Sequence, residues 1–554
     1  MKNKFTKLIC LLFAVIMAFS ASACFGGGGG DSDSDNTLDI YLLYKGYGDA
    51  WLQDAMNRFK KEDWVKESYP NLTINYTFNS LDADAPQKIS QGASINKYDL
   101  MFGVNLQAYE SRGLIADLTD LVYLTEVPGE PGVKVIDKVP QNVRDKIRRA
   151  TGAPEREDGG DSYYVVSYID GMFGMLYNQD ILDQLDLEVP LTTDHFLEVA
   201  AVIADKGYKA KTGAGGAEET QYTVIMNNAK DKYWNSSFSA WWGQYVGVEG
   251  FSNFFEGYDA GEDVYNSINV LDMPGRLETL EFIQTVLTNY QYKFSSSFST
   301  DKGYKEAQTR FLMGDGAFHY NGDYFSTEMT LETEALKGSQ INYDIKFMKM
   351  PVLSAIVKTL ENKSMPDTLL REVIKEIDNN VVYANSALKE QVSENDFNKI
   401  AEARCIIGLR TAVGQAAVIP SYSPAKGLAA DFLRFMYTEE SIKSFVKSSG
   451  GLVFPTTYDV RNDESLTEYI TDINKSKLDL LKGTSNYAVT HLPAESATTL
   501  GKGGLTSLKY DGTFESNFNV NNTNLMTPQQ ILDAERAHWE GGWEQMLSAA
   551  GIRQ

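Results

Sequence analysis

Cysteine is scarce in this chain: Cys10, Cys24 and Cys405 are the only three among 554 residues. The first two lie in the N-terminal leader region, so Cys405, in the apolar run Ala403-Arg404-Cys405-Ile406-Ile407, is left without a disulfide partner and reads as an inert core residue. Histidine is nearly as rare. His195, His319, His491 and His538 are scattered without metal-ligand spacing. Positive charge is also short, with 51 Lys+Arg against 75 Asp+Glu and a net charge of −24. Nucleic-acid affinity rests on basic neutralisation of phosphates, so that balance excludes a nucleic-acid partner and disfavours anionic ligands generally. Long apolar runs are missing beyond the extreme N-terminus, which excludes a multi-span membrane protein. No Walker loop, nucleophile elbow or Cys-Cys metal knuckle occurs. Gly46-Tyr47-Gly48 opens like a dinucleotide turn, but Trp51 stands where the third glycine is needed.

What is present is apolar and aromatic matter: 43% hydrophobic residues, 12% of the chain being Phe, Trp or Tyr. That composition fills sizeable cores, and the length allows about two to four domains. The N-terminus reads as an export signal. Lys2, Lys4 and Lys7 precede an apolar stretch at 8–19, too short to span a bilayer. Ser20-Ala21-Ser22-Ala23-Cys24 follows and resembles the bacterial lipobox, in which the Cys is lipidated and becomes the new N-terminus; Ala21 departs from the preferred Leu, and an ordinary A-x-A site would cut at the same bond. Residues 25–36, with five consecutive glycines and alternating Asp and Ser, suit a tether. The expectation is a signal peptide over 1–23 and a lipid-anchored flexible linker over 24–36, with the protein held by Cys24 to the outer face of a Gram-positive cell membrane.

The body alternates strand and helix patterns, which predicts an α/β fold with largely parallel sheets. Residues 37–44 are β-rich. Asp49 can cap a helix with Trp51, Leu52, Ala55, Met56 and Phe59 on one face. Leu72, Ile74, Tyr76 and Phe78 alternate as a strand, and 98–102 make a third. Strands are predicted again at 163–168 and 172–177, with helices around 181–185, 196–206, 277–290, 304–312, 424–437 and 439–447. Residues 360–404 are almost wholly helical in pattern. Thr527-Pro528-Gln529-Gln530 is a capping box opening a last helix that carries Trp539, Trp543 and Met546.

Four motifs in order resemble family 1 extracellular solute-binding proteins, the carbohydrate-binding subunits of ABC importers that include maltose-binding proteins. Tyr98-Asp99-Leu100-Met101-Phe102 followed by Gly113-Leu114-Ile115-Ala116-Asp117-Leu118 is similar to that family's strand, short helix and turn. Tyr168-Ile169-Asp170-Gly171-Met172-Phe173-Gly174-Met175-Leu176-Tyr177-Asn178-Gln179-Asp180 is similar to its Tyr-x-Asp-Gly and Tyr-Asn-Lys-Asp stretch. Gly314-Asp315-Gly316-Ala317-Phe318-His319-Tyr320-Asn321-Gly322-Asp323-Tyr324 resembles a third motif, with Tyr324 replacing Trp. The segment 416–447 and Gly450-Gly451-Leu452-Val453-Phe454-Pro455 resemble the last. The resemblance implies a two-lobed periplasmic-binding-protein type II fold, with discontinuous lobes joined by a hinge that closes over ligand. Carried onto this chain, it puts lobe one at 37–165 and 320–412, with a helical insertion at 356–412, and lobe two at 168–318 and 416–554. It further implies an oligosaccharide ligand, delivery to permease subunits, a monomer, no cofactor and no catalysis.

Sugars present C–H faces to aromatic rings and hydroxyls to fixed polar groups. Candidate ligand-binding residues are therefore Tyr44, Tyr47, Asp49 and Trp51 after the first strand, where open α/β sheets bind ligands, and Asn105 after the third. Trp234, Trp241 and Trp242 lie in an aromatic-rich segment. Tyr168, Asp170, Asn321, Asp323 and Tyr324 lie on the two hinge motifs. Adjacent Trp241 and Trp242 cannot share one helix face, so one is expected in the core and the other facing the cleft. The alternatives are an oligopeptide-binding receptor of an ABC importer and a secreted glycoside hydrolase, though no motif singles out the carboxylate pair a hydrolase needs.

Overall fold

A computed structural model describes residues 36–43, 46–79, 84–104, 109–148, 156, 159–169, 171–211, 219–221, 225–226, 233–288, 303–410, 415–493, 495, 498–509 and 525–552. Among them, the strands in chain order are β1 (Thr37–Leu43), β2 (Thr73–Asn79), β3 (Leu100–Phe102), β4 (Val166–Ser167), β5 (Met172–Asn178), β6 (Tyr208–Ala210) and β7 (Glu219–Gln221). They continue with β8 (Ile225–Met226), β9 (Phe318–Gly322), β10 (Ile345–Met348), β11 (Ile406–Arg410), β12 (Ala416–Val418) and β13 (Thr490–Leu492). The expected signal peptide, Cys24 and residues 25–35 of the expected linker lie outside the described residues.

One sheet runs β2-β1-β3-β12-β4 and a second β13-β11-β5-β9-β8, with β10 also on β5; β6 and β7 form a separate pair. In the first sheet β2 and β3 flank β1 in parallel, Ile40 facing Tyr76 on one side and Leu100 on the other. Such central strands are apolar throughout, and Leu38, Ile40, Tyr41, Leu42 and Leu43 are all buried. The helix Ala50–Phe59 packs here because Trp51, Leu52, Ala55, Met56 and Phe59 fall on one stripe, and all five are buried. The helix Glu439–Ser449 lies against it; Thr438 caps its start and left-handed Gly450 ends it.

The second sheet is organised around β5. β9, β10 and β11 all pair antiparallel with it, and β8 adds parallel to β9. On one face the long helix Tyr233–Glu256 and the C-terminal helix Pro528–Ala549 share a core with Trp242, Phe254, Phe318, Trp539 and Trp543. The latter helix starts from the expected Thr527–Gln530 capping box. It is anchored by a buried ion pair of Glu535 with Arg276, whose guanidinium also donates to the Leu271 and Ser507 carbonyls. The opposite face is covered by Phe311, Phe325 and Phe347.

This pairing corrects the expected division into lobes. Residues 320–412 do not return to the first sheet: β9, β10 and β11 complete the second, around β5. It is β12, with the helices Lys426–Phe435 and Glu439–Ser449, that goes back to the first, β12 filling the gap between β3 and β4. The chain thus crosses between the lobes after β4, after β11, and between Ser449 and the helix Asp472–Lys482, which packs on β10. The segment expected to be a helical insertion carries the helices Asp367–Asp378 and Glu394–Cys405 around their own core of Leu370, Val373, Ile374, Phe397 and Ile400. Its helical part ends at Cys405, not at 412, because Ile406–Arg410 is the sheet strand β11. Thr192 Oγ1 donates to Asp367 at 3.1 Å, and Arg371 pairs with Glu198, so the insertion docks on the second lobe. Cys405 is half-buried, and burial raises its thiol pKa.

Candidate functional site

β1, β2, β3 and β4 run in one direction, and β4 leads directly towards β5 in the other sheet, so the carboxyl ends of the first sheet face the second lobe. The turn after β1 is built for close approach. Gly46 and Gly48 have φ of 83° and 64°, and a Cβ on Gly46 would sit 2.9 Å from the Tyr324 ring. Those two glycines place Tyr47 across the junction. Its hydroxyl donates to Asp323 Oδ1 at 2.9 Å, and its ring meets Tyr324 edge-on at 5.6 Å. Lys477 Nζ donates to Asp323 Oδ2 at 2.9 Å, both side chains being fully buried. The Tyr324 ring stands edge-on to Phe173 at 6.0 Å, and Phe173 stacks on Tyr320. Of the expected set, Tyr47, Asp323 and Tyr324 are brought together, on residues from both lobes.

Others lie elsewhere. Trp51 and Tyr168 stack at 4.9 Å, each about 1% exposed, with Phe102 edge-on to both. Trp51 Nε1 donates to the Gly48 carbonyl and Tyr168 to Gln415, and burial raises the Tyr168 phenol well above its ordinary value. They are core residues at the root of the crossing, since a ring sealed on both faces offers none to a ligand. Asn321 is fully buried, its amide against His319 Nε2 at 3.0 Å and its carbonyl accepting from the Gly322 N–H. Trp241 and Trp242 are both core, donating to the Pro351 and Pro274 carbonyls at 3.0 Å each. The one-in, one-out expectation fails because their helix is packed on all sides, by β9, β11, the helix Arg276–Thr288 and the insertion. Asp49 precedes its helix without capping it through the side chain; its Oδ2 accepts instead from Gln53 and Tyr76. Tyr44, Asn105 and Asp170 lie outside the described residues, and Trp234 begins the helix Tyr233–Glu256 with its side chain outside them.

Three features escaped the sequence reading. Lys477 is one charge among many in its segment and gave no signal. Glu495, beyond the end of β13, accepts from Ser239 Oγ and, at 3.2 Å, from the Ser507 N–H, while burial raises its carboxyl above the ordinary range. Tyr76 and Phe78 were read as strand residues but are 37% and 46% exposed. Among the described residues there is no group of three or more His, Cys, Asp or Glu side chains placed to hold a metal ion.

Two α/β lobes, crossed three times by the chain and meeting in an aromatic seam around a carboxylate, define a two-lobed binding protein. The chain belongs to the bacterial extracellular solute-binding protein family, whose model matches residues 45–330. No curated protein matches it in sequence. Among solved structures it is similar to the solute-binding protein RafE in complex with raffinose, at 14% identity and a TM-score of 0.51, covering 94% of this chain and 100% of that one. It is also similar to a chitin oligosaccharide binding protein (16% identity, TM-score 0.54, 91% and 99% covered). A third likeness is to the GacH receptor of Streptomyces glaucescens, solved unliganded and with acarbose (13% identity, TM-score 0.52, 94% and 99% covered). At these identities the likeness speaks for the fold.

Proposed function

We propose that this protein is the extracytoplasmic substrate-binding subunit of an ABC importer, and that it captures an oligosaccharide between its lobes and delivers it to permease subunits. The observation that carries the reading is the architecture: two α/β lobes crossed three times by the chain, with the carboxyl ends of a parallel sheet facing the second lobe. Neighbours of the same fold solved with raffinose and acarbose support the ligand class. The acidic balance favours a neutral glycan over an anionic one. The anchor is the lipidated Cys24, and the working form is a monomer that binds without turnover.

The deciding experiment is calorimetric titration with a panel of neutral oligosaccharides, followed by chromatography of the ligand after long incubation. Stoichiometric binding with ligand recovered intact is the expected outcome. Steady release of shorter products makes the protein a hydrolase, and binding of peptides with no glycan bound makes it a peptide receptor.

A further inference from the structure

Tyr324 follows β9 of the second sheet, yet its side chain is buried in the first lobe's core, in one cluster with Tyr47, Trp51 and Tyr168. A glycine from each lobe makes room for the ring. A Cβ on Gly46 would lie 2.9 Å from it and one on Gly322 2.1 Å, so a side chain at either position would displace the ring. The neighbouring Asp323 gathers the chain around this point. Its carboxylate accepts from Tyr47 of the first lobe and Lys477 of the second, and its N–H donates to the Met172 carbonyl at 2.9 Å. Met172 opens β5 directly after the first crossing, and Lys477 lies on the helix that follows the third. One turn earlier on that helix, Asn474 Nδ2 donates to Ser326 Oγ and to the Gly450 carbonyl, at the start of the third crossing.

We infer that the Tyr324 ring in its glycine socket, with Tyr47, Asp323 and Lys477, forms the fulcrum on which the lobes turn. These are positioning residues that stay in contact in the open and closed forms and do not touch ligand. The inference rests on the reading above, in which the lobes capture a glycan between them. The contact lies against the crossings, and points beside the crossing segments move least when two lobes rotate. It is also sealed: Tyr47, Asp323, Tyr324 and Lys477 are all buried, and both Asp323 oxygens already accept a hydrogen bond within the joint. Separation would be costly. An opening that withdrew the ring would expose an aromatic side chain and leave its socket empty, whereas a rotation that keeps it seated does neither. The joint tolerates such a rotation. Tyr47 meets the ring edge-on at 87°, and a hydrogen bond weakens steeply only below about 120°. Because the joint acts on the balance between open and closed forms, damage to it changes the affinity for every ligand by one factor.

The test combines small-angle scattering with titration of neutral gluco-, xylo- and chito-oligosaccharides. A Cβ on Gly48 of the first lobe would lie 3.4 Å from Thr327 Cγ2 of the second, so cysteines at these two positions are within reach of a disulfide. In Gly48→Cys/Thr327→Cys, with Cys24 and Cys405 replaced by Ser, the oxidised and reduced forms should bind glycan equally and compact equally. Binding or compaction lost on oxidation and regained on reduction overturns the fulcrum, because the contact then has to part. Tyr324→Ala should enlarge the ligand-free radius of gyration and weaken every bound glycan by one common factor of about tenfold. Tyr324→Phe should restore both. Losses that differ from glycan to glycan make Tyr324 a ligand contact and overturn the fulcrum as well. A wild type that binds glycan without compaction removes hinge closure and the fulcrum together and leaves the sugar reading intact. A wild type that binds no glycan removes the sugar reading; the fulcrum is then judged on the ligand-free radii, and equal values for wild type and Tyr324→Ala overturn it.

Discussion

The Tyr47 hydroxyl and the Asp323 carboxylate, 276 residues apart in the chain, meet at 2.9 Å and tie the first lobe to the second. Lys477, from the helix Asp472–Lys482 that follows the third crossing, holds the other carboxylate oxygen, so the tie is a buried charged cluster and not a surface contact. Desolvation of both ions offsets much of their attraction. Such a pair adds less to stability than to geometry, since either charge left alone in that space is costly. A seam of this kind favours one relative placement of the lobes.

Tyr47→Phe removes one hydrogen bond to a charged acceptor and should cost about 1.5–3 kcal/mol. Asp323→Ala strands the Lys477 ammonium and should cost about 3–5 kcal/mol. Urea unfolding of both variants gives the order. If Asp323→Ala proves the milder change, the carboxylate does not hold the seam.

Trp241→Ala and Trp242→Ala each empty a packed site and orphan a proline carbonyl, at a cost of about 3–5 kcal/mol. Thermal or chemical denaturation should show the loss. Ligand affinity of the folded variants should stay near wild type; a large affinity loss with unchanged stability would return these residues to the cleft.

His195 supplies a pH dependence. Its Nδ1 accepts from the Leu191 N–H at 3.3 Å, which needs the neutral ring. Burial chiefly, and then Arg371, lowers its pKa below the ordinary 6.5, against the opposing pull of Glu198, Glu188 and Asp367. The unfolded chain takes up this proton first as pH falls. Stability from this group is therefore complete above about pH 6.5 and is lost as the solution is acidified through the folded-state value. Denaturation midpoints measured from pH 7.5 to 5 should fall less steeply in His195→Asn than in wild type.

Hinge closure predicts compaction. A ligand shifts the open–closed equilibrium only through tighter binding to one form, and contacts from both lobes provide that difference. Small-angle scattering should give a smaller radius of gyration with cognate oligosaccharide, alongside a higher melting temperature. Stabilisation at constant radius would keep the binding and remove the hinge mechanism.

For the anchor, Cys24→Ser should move the protein from the membrane fraction into the medium. Continued membrane association, with no lipid label on the wild type, would contradict lipidation.

Local structure was legible in the sequence wherever one periodicity governed the segment. The stripe from Trp51 to Phe59, the capping box at Thr527 and the strands at 37 and 172 lie where the pattern put them. Pairing was not legible. The resemblance supplied the right elements and the wrong partners for β9 to β12, because whether a short apolar strand joins one sheet or the other depends on hydrogen bonds hundreds of residues away. The site divided along the same line. Tyr47, Asp323 and Tyr324 stood next to glycines in turns, and turn chemistry is local. Trp51, Trp241 and Trp242 were candidates by residue type alone, and type cannot distinguish a ring that faces a cleft from one that fills a core. Tyr76 and Phe78 were missed in the opposite sense: alternation marks a strand but not whether that strand lies at the end of its sheet.

The strand β12 sits inside the first sheet, between β3 and β4, yet it is made about 250 residues after β4. Until Ala416–Val418 emerges, β3 and β4 have no intervening partner, and the amino-terminal lobe is a half-built sheet with two raw edges. The first sheet therefore cannot close until β5 to β11 have been made, so completion of one lobe waits on synthesis of most of the other.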